Sequence, residues 1–238
     1  MSGSLVIIPT YNEKGNIENI TRKVFSLQGD FHLLVVDDGS PDGTAAIVKT
    51  LMQEFPNRLF ILERQGKLGL GTAYITGFKW ALEKGYDYIF EMDADFSHNP
   101  EDLLRLKAAC EQGADVAIGS RYVKGGNVKN WDMKRVLMSY FASFYVRMIL
   151  WMNIKDTTAG FKCYRRRVLE ALPLDNIKFI GYAFQIEMKY LAYKKKFKIV
   201  EVPITFIDRE VGVSKMSRGI FKEAFLGVIQ IRLGKHGK

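Results

Sequence analysis

The chain has 238 residues, 47% hydrophobic and 26% charged, which is enough apolar material for one sizeable globular core and excludes a disordered or low-complexity chain. With only Cys110 and Cys163 it is no disulfide scaffold, and free thiols in a reducing compartment are expected, one disulfide being the alternative. The net charge of +9 is unevenly split: residues 1–120 hold 11 Lys+Arg against 17 Asp+Glu, a net of −6, and residues 121–238 hold 24 against 9, a net of +15. A basic half of that size calls for an anionic partner, of which a membrane face and a nucleic acid are the common kinds.

The chain enters its first strand within about five residues, with no charged-then-apolar leader, so no signal peptide and a cytoplasmic placement are expected. Strands are predicted at about 5–8, 32–36, 59–62, 87–92 and 115–119, with helices at about 13–27, 42–55, 70–84 and 100–112 between them; this alternation makes a parallel sheet covered on both faces. Ile17, Ile20, Val24 and Leu27 recur at helical spacing and read as core. Asn99, Pro100, Glu101 and Asp102 form a helix start, with Asn as cap, Pro at the first position and acids after it. In such sheets ligands bind beyond the carboxyl ends of the strands, where residues 9–13, 37–40 and 93–95 all fall. These segments are therefore expected to meet in one crevice.

The chemistry of that crevice follows from residue type. In a strand, residues two apart share a face, so Asp93 and Asp95 are expected to converge on one hard cation, Mg2+ or Mn2+; the bland alternative is a solvated acidic loop. Asp37 and Asp38 close an apolar run and put acceptor carboxylates at a strand end, while Asp38 can equally belong to a turn and helix cap. Gly66, Gly69 and Gly71 admit a close backbone approach to a ligand, or simply serve the start of a helix. His32, His98 and His236 are scattered and assemble no metal cluster.

The second half leaves the alternating pattern. Residues 131–152 carry aromatic and Met side chains with bases at Lys134, Arg135 and Arg147, and charges within the run argue against a crossing helix. Lying in the membrane interface fits this pattern. Residues 217–233 pair Phe221, Phe225, Val228 and Ile229 with Arg218, Lys222 and Arg232, and are either a second interface helix or one packed on the core.

Leu5-Val6-Ile7-Ile8-Pro9-Thr10-Tyr11-Asn12-Glu13, Val35-Val36-Asp37-Asp38-Gly39-Ser40, the Gly66–Gly71 turn and Asp93-Ala94-Asp95, in this order and spacing, resemble the family 2 glycosyltransferases of the GT-A fold. With Gly119-Ser120-Arg121-Tyr122 and Asp156-Thr157-Thr158-Ala159-Gly160-Phe161, the chain resembles the dolichol-phosphate (polyprenol-phosphate) mannose synthases from about residue 5 to about residue 215. The resemblance implies one α/β catalytic domain over 1–238, with a donor half to about residue 120 and an acceptor half beyond it. It implies mannose transfer from GDP-mannose to a polyprenyl or dolichyl phosphate with inversion. Pro9, Tyr11, Glu13, Asp37, Asp38, Asp93, Ala94, Arg209 and Lys215 would bind the donor, Tyr11 being otherwise half-buried packing. Asp93, Asp95 and, more weakly, Ser97 would hold Mg2+ or Mn2+, Asp95 and Arg121 would be catalytic, and Arg121, Arg135 and Ser139 would hold the acceptor phosphate. A generic surface arginine is the alternative at Arg135.

Gly212 is a plausible hinge of the loop bearing Arg209 and Lys215, and Val213 stands where the family usually has an acid. Asp156 either faces the sugar hydroxyls or caps a turn. Members of the family with their own C-terminal spanning helices differ from this chain, which leaves the mode of anchoring open; the charged aromatic runs make monotopic association with the cytoplasmic face of a membrane the expectation, with room for an anchoring partner and no nucleic acid. A UDP-sugar synthase making polyprenyl-phosphate glucose or N-acetylglucosamine shares nearly all these motifs. The alternative of another class is a non-catalytic lipid-phosphate or nucleic-acid binding protein.

Overall fold

The computed structural model describes residues 3–208 and 218–234. The predicted alternation is present: β1 (Ser4–Thr10), α1 (Ile17–Phe25), β2 (Phe31–Asp37), α2 (Thr44–Glu54), β3 (Leu59–Glu63), α3 (Leu70–Lys84), β4 (Tyr88–Glu91), α4 (Asp102–Glu111) and β5 (Val116–Ser120). There follow β6 (Asn127–Lys129), α5 (Met133–Leu150), β7 (Lys162–Arg165), α6 (Arg166–Ala171), α7 (Tyr182–Lys194), β8 (Ile199–Pro203), β9 (Thr205–Ile207) and α8 (Arg218–Arg232). The main sheet has seven strands in the order β3-β2-β1-β4-β7-β5-β8, and β6 pairs with β9 in a small second sheet.

All neighbours in the main sheet are parallel except β7, which runs antiparallel to both β4 and β5. The first five strands alone suggest an all-parallel sheet; instead β7, from the second half, separates β4 from β5. Its sequence Lys162-Cys163-Tyr164-Arg165 is too short and too polar at its start to announce itself as a central strand. Each face of the sheet carries one core. Ile7, Leu34, Val36, Tyr74, Phe78, Ile118, Tyr164 and Phe184 pack on one side with α3 and α7. Val6, Ile8, Val35, Ile20, Val24, Phe90, Leu103, Leu106 and Cys163 pack on the other with α1 and α4. Consecutive residues of β1 and β2 thus feed opposite cores, as the strand period requires.

Local devices place the loops. At the predicted helix start, the Asn99 side chain accepts from the Glu101 N–H at 3.1 Å, and α4 proper begins at Asp102. Gly69 (φ 101°) opens α3 and Gly85 (φ 80°) ends it in the left-handed conformation that glycine adopts without penalty. Gly71 serves packing: a Cβ there would lie 2.9 Å from the Phe179 carbonyl and the Phe184 ring. Gly69 and Gly71 are accordingly fitted to their protein neighbours, while a Cβ at Gly66 would meet nothing within 4 Å. Cys110 and Cys163 are buried free thiols.

Candidate active site

The carboxyl ends of β1 and β2 lie side by side, with Thr10 in register with Asp37, and hydrogen bonds stitch their loops together. Asp37 accepts from the Thr10 hydroxyl (2.8 Å), the Ser40 N–H (2.9 Å) and the Ser40 hydroxyl (2.6 Å). The Asn12 N–H reaches Ser40 at 3.0 Å and the Glu13 N–H reaches Thr44 at 3.1 Å. Glu13 itself accepts from the Asn16 amide at 3.0 Å. Asp38 is buried and paired with Arg64, whose guanidinium also donates to Thr72 and to the Gly69 carbonyl. Asp38 is therefore part of a buried ion pair; the N-cap of α2 is Gly43, and Asp42 just before it accepts from the Thr44 N–H and hydroxyl. Half-buried Pro9 and Tyr11 border this cluster, with the Lys67 ammonium 5.1 Å from the Tyr11 ring centre.

One geometric expectation is corrected. Strand β4 ends at Glu91, so Asp93-Ala94-Asp95 lies in the following bend, where Phe96 takes φ 60°. Strand alternation therefore does not set the two carboxylates. Asp93 is partly exposed on a cavity wall, while Asp95 is buried behind it and accepts from the Ser97 N–H at 3.0 Å. Ala94 is buried between them, and the buried Ser97 lines the same wall. The bend is pinned from outside by the Ile207 N–H donating to the Ser97 carbonyl.

His98 was not singled out by its spacing. It is fully enclosed, stacked on Phe161 at 4.8 Å, and its Nδ1 accepts from the Asp93 N–H at 3.2 Å. Burial is the largest reason its pKa falls to about 4; Arg121 and Lys162 push it the same way, while Asp95 opposes them. The ring is neutral at neutral pH, with its proton on Nε2.

Asp93 and Ser97 face Arg121, Arg135 and Ser139 across a cavity of about 700 Å3. Its remaining wall is largely apolar, with Met138, Ala142, Val146, Ile186, Phe225 and Val228 from α5, α7 and α8. Arg121, just beyond β5, is fixed by Asp156: its N–H (3.0 Å), Nε (2.7 Å) and one terminal amine (2.7 Å) all reach that carboxylate, and the same amine reaches Thr158 at 2.8 Å. Asp156 is fully buried, so it neither faces sugar hydroxyls nor caps a free turn; it orients Arg121. Burial would raise its pKa, but the charge and hydrogen bonds of Arg121 outweigh this and hold the carboxyl below the usual range.

The guanidinium of Arg121 also lies 5.2–5.5 Å from the rings of Tyr122, Trp131 and Phe206. Arg135, in the first turn of α5, stacks on Trp131 at 4.1 Å and pairs with Asp208 at 2.7 Å. Ser139 accepts from the Tyr122 hydroxyl at 2.7 Å. Trp131 Nε1 is buried without a hydrogen-bond partner among the described residues, a donor beside both arginines.

A buried polar strut supports the floor. Glu91 and Lys162 pair at 3.1 Å, and the Gln185 side chain donates to Glu91 and accepts from Lys162. Lys189, one turn along α7, donates to the carbonyls of Thr157 (2.9 Å) and Ala159 (2.6 Å) and clamps the loop that carries Asp156. Burial pushes both lysines down, with Glu91 opposing the shift at Lys162. Sequence reasoning missed this strut, though a lysine inside the apolar run Phe161-Lys162-Cys163-Tyr164 signals a buried partner.

The cavity thus unites Asp93, Ser97, Arg121, Arg135 and Ser139. Pro9, Tyr11, Glu13, Asp37 and Asp38 gather at the neighbouring strand ends and do not line it. Arg209 and Lys215, with Gly212 and Val213, lie outside the described residues.

A model of the family described as glycosyl transferase family 2 matches residues 5–172. The chain belongs to glycosyl transferase family 2. Among curated relatives of this glycosyltransferase, the polyprenol monophosphomannose synthase of Mycolicibacterium smegmatis is 49% identical over 227 residues, 95% of this chain and 86% of the relative. The undecaprenyl-phosphate mannosyltransferase of Micrococcus luteus is 47% identical over 224 residues, 94% and 91% of the two chains. Glucosyl-3-phosphoglycerate synthase from Mycobacterium tuberculosis, solved with Mn2+, UDP and glucosyl-3-phosphoglycerate, superposes with TM-score 0.69 at 16% identity, covering 98% of this chain and 80% of its own. A Pyrobaculum calidifontis mannosyltransferase solved with GDP-mannose and Mn2+ gives 0.58 at 16%, covering 96% and 69%. The GT-A fold is thereby shown, and enzyme membership removes the non-catalytic alternative. Among the described residues no helix is long and apolar enough to cross a membrane.

The donor set fits a hard divalent cation. Among the described residues no group of three His, Cys, Asp or Glu side chains gathers around one point, and the Asp93 and Asp95 carboxylates offer only oxygen. Such a pair, completed by substrate phosphate oxygens and water, is how Mg2+ and similar ions are held in nucleotide sites.

Proposed function

We propose that this glycosyltransferase moves mannose from GDP-mannose to a polyprenyl phosphate, with inversion, giving polyprenyl-phosphate mannose and GDP. The observation that carries the reading is one cavity with a carboxylate on one side, two arginines on the other and an apolar wall between α5, α7 and α8. That wall suits an isoprenoid chain, and the arginines suit the phosphate at its head, since a guanidinium donates in a planar fork and stays charged. The names of the two curated relatives support acceptor and sugar.

Asp93 and Asp95, with Ser97 as a weaker oxygen donor, would hold the divalent cation, which would supply Lewis-acid stabilisation of the departing diphosphate. Pro9, Tyr11, Glu13, Asp37, Asp38 and Ala94 receive the nucleotide, and Arg209 and Lys215 neutralise its diphosphate. Arg121, held by Asp156, and Arg135 with Ser139 orient the acceptor phosphate. A phosphate monoester with a second pKa of about 6 is already ionised at neutral pH, so its oxygen attacks the anomeric carbon with no general base. The bond from that carbon to the GDP oxygen breaks on the opposite face, and the electron pair leaves with GDP. Neutral His98 neither needs to take the proton nor adds charge beside the carboxylates. The exposed Leu137, Phe141, Phe144 and Met148 of α5 and Trp151 at its C-cap lie in the membrane interface on the cytoplasmic side, α8 beside them.

A panel of GDP-mannose, UDP-glucose and UDP-N-acetylglucosamine, each incubated with undecaprenyl phosphate, tests the donor. Lipid-linked sugar from GDP-mannose alone is expected. Product from a UDP-sugar in its place would overturn the donor and keep the cavity's acceptor role.

A further inference from the structure

The outer side of α5 bears a second cavity of about 160 Å3, lined by Tyr122, Tyr140, Phe144, Arg147 and Lys155. Positions 140, 144 and 147 are four and three residues apart and stack along one stripe of the helix. Arg135, Ser139, Ala142 and Val146, which line the catalytic cavity, occupy a different face. The two cavities therefore flank α5.

The chemistry of this second cavity is cationic and incomplete. Among the described residues, Arg147 Nε is buried with no hydrogen-bond partner and no ion pair joins Arg147 or Lys155 to a carboxylate. A buried guanidinium N–H is costly to leave unmatched, and a phosphate is an anion its planar fork can take bidentately. Tyr140 and Phe144 are each 49% exposed at the rim, and the neighbouring Phe141, Met148 and Trp151 continue the apolar surface outward. A cation pocket opening among interfacial aromatic side chains sits at the depth of lipid headgroups.

We propose that this pocket is a second phosphate site, in which Arg147 and Lys155 hold the headgroup of an anionic bilayer phospholipid and dock α5 in a fixed orientation. The proposal rests on the membrane-interface reading above. The pocket has room for a headgroup, while the larger apolar-walled cavity takes the isoprenoid acceptor. Tyr122 is the wall common to both: its ring lines the pocket, and its hydroxyl holds Ser139 at 2.7 Å on the catalytic side. A bound headgroup braces that ring and with it Ser139.

The test is co-sedimentation of the full chain with vesicles of three parts phosphatidylcholine to one part phosphatidylglycerol. Two charges removed from the membrane surface in R147Q/K155Q are expected to weaken partitioning about thirty-fold. K155Q alone, which leaves the buried side untouched, is expected to weaken it about five-fold and keeps the test open should the double variant not fold. R147K keeps the charge but loses the planar fork, and weaker binding than wild type is expected. Wild-type binding by R147K would reduce the pocket to diffuse charge and overturn the proposal, as would unchanged binding by K155Q. Inorganic phosphate quenching the tyrosine fluorescence without vesicles, as strongly as phosphatidylglycerol vesicles do, would assign the pocket to free phosphate. In detergent micelles, transfer by R147Q/K155Q is expected to equal wild type; a loss there would place Arg147 in the acceptor site and sink the separate-site claim. Vesicle binding needs no turnover, so a wrong donor or acceptor leaves this result readable.

Discussion

Replacing Asp156 by Asn would leave Arg121 with its position but without its counter-charge. Three Arg121 donors converge on the Asp156 carboxylate at 2.7–3.0 Å, and the two side chains are 0% and 9% exposed. Removing one partner of a buried ion pair costs about 3–5 kcal/mol; Asn keeps one acceptor oxygen, so about 3 kcal/mol is the working figure. For a chain of this size that corresponds to a fall in Tm of about 6–12 °C. A guanidinium displaced by about 1 Å from the acceptor phosphate costs roughly a hundredfold in rate. The expected kinetic result is a fall of that order in kcat/KM for the lipid phosphate, with KM for GDP-mannose little changed. The pH dependence has a definite sign: the folded pKa of Asp156 is depressed, so its stabilisation is present above the ordinary carboxylate value of about 3.9 and is lost as pH falls through the lower folded value. Thermal melts across the acid range should therefore show a shallower acid loss for D156N. Wild-type Tm and wild-type kcat/KM in D156N would refute the positioning role.

Three further outcomes follow from the packing. Lys189→Met removes the clamp on the carbonyls of Thr157 and Ala159 and is expected to lower acceptor kcat/KM at least tenfold, with Lys189→Arg failing to restore it in a space shaped for an ammonium. Gly71→Ala drives a methyl against the Phe179 carbonyl and the Phe184 ring, and calorimetry is expected to show about 1–3 kcal/mol of destabilisation. Arg64→Ala leaves Asp38 buried without its partner, so nucleotide-sugar affinity measured by titration calorimetry is expected to fall about tenfold while acceptor binding holds.

Much of this site was legible because its residues sit at strand ends that hydrophobic runs announce. The apolar stretches before Pro9 and Asp37 are uninterrupted, Arg121 directly follows the buried strand β5, and strand ends locate a crevice. What stayed hidden was relational. Asp156 lies 35 residues from Arg121, and no local pattern says that its carboxylate turns inward to a guanidinium. Lys162 and Gln185 meet only because β7 inserts antiparallel between β4 and β5, a topology that four short residues do not encode. His98 looked like one of three scattered histidines until the bend after Asp95 folded it beneath Asp93. The D-x-D geometry differed for a related reason: the strand stops at Glu91, and hydrogen bonds within the bend, not pleat alternation, aim the carboxylates.

The most direct test of the central claim is transfer of labelled mannose from GDP-mannose into organic-extractable lipid, with undecaprenyl phosphate and Mn2+, for wild type beside Asp95→Ala. Lipid product that requires the metal in wild type and is lost in D95A, with the variant still folded by circular dichroism, is the predicted result. Equal product from both proteins, or wild-type product undiminished by a chelator, would contradict a metal-assisted transfer at this site.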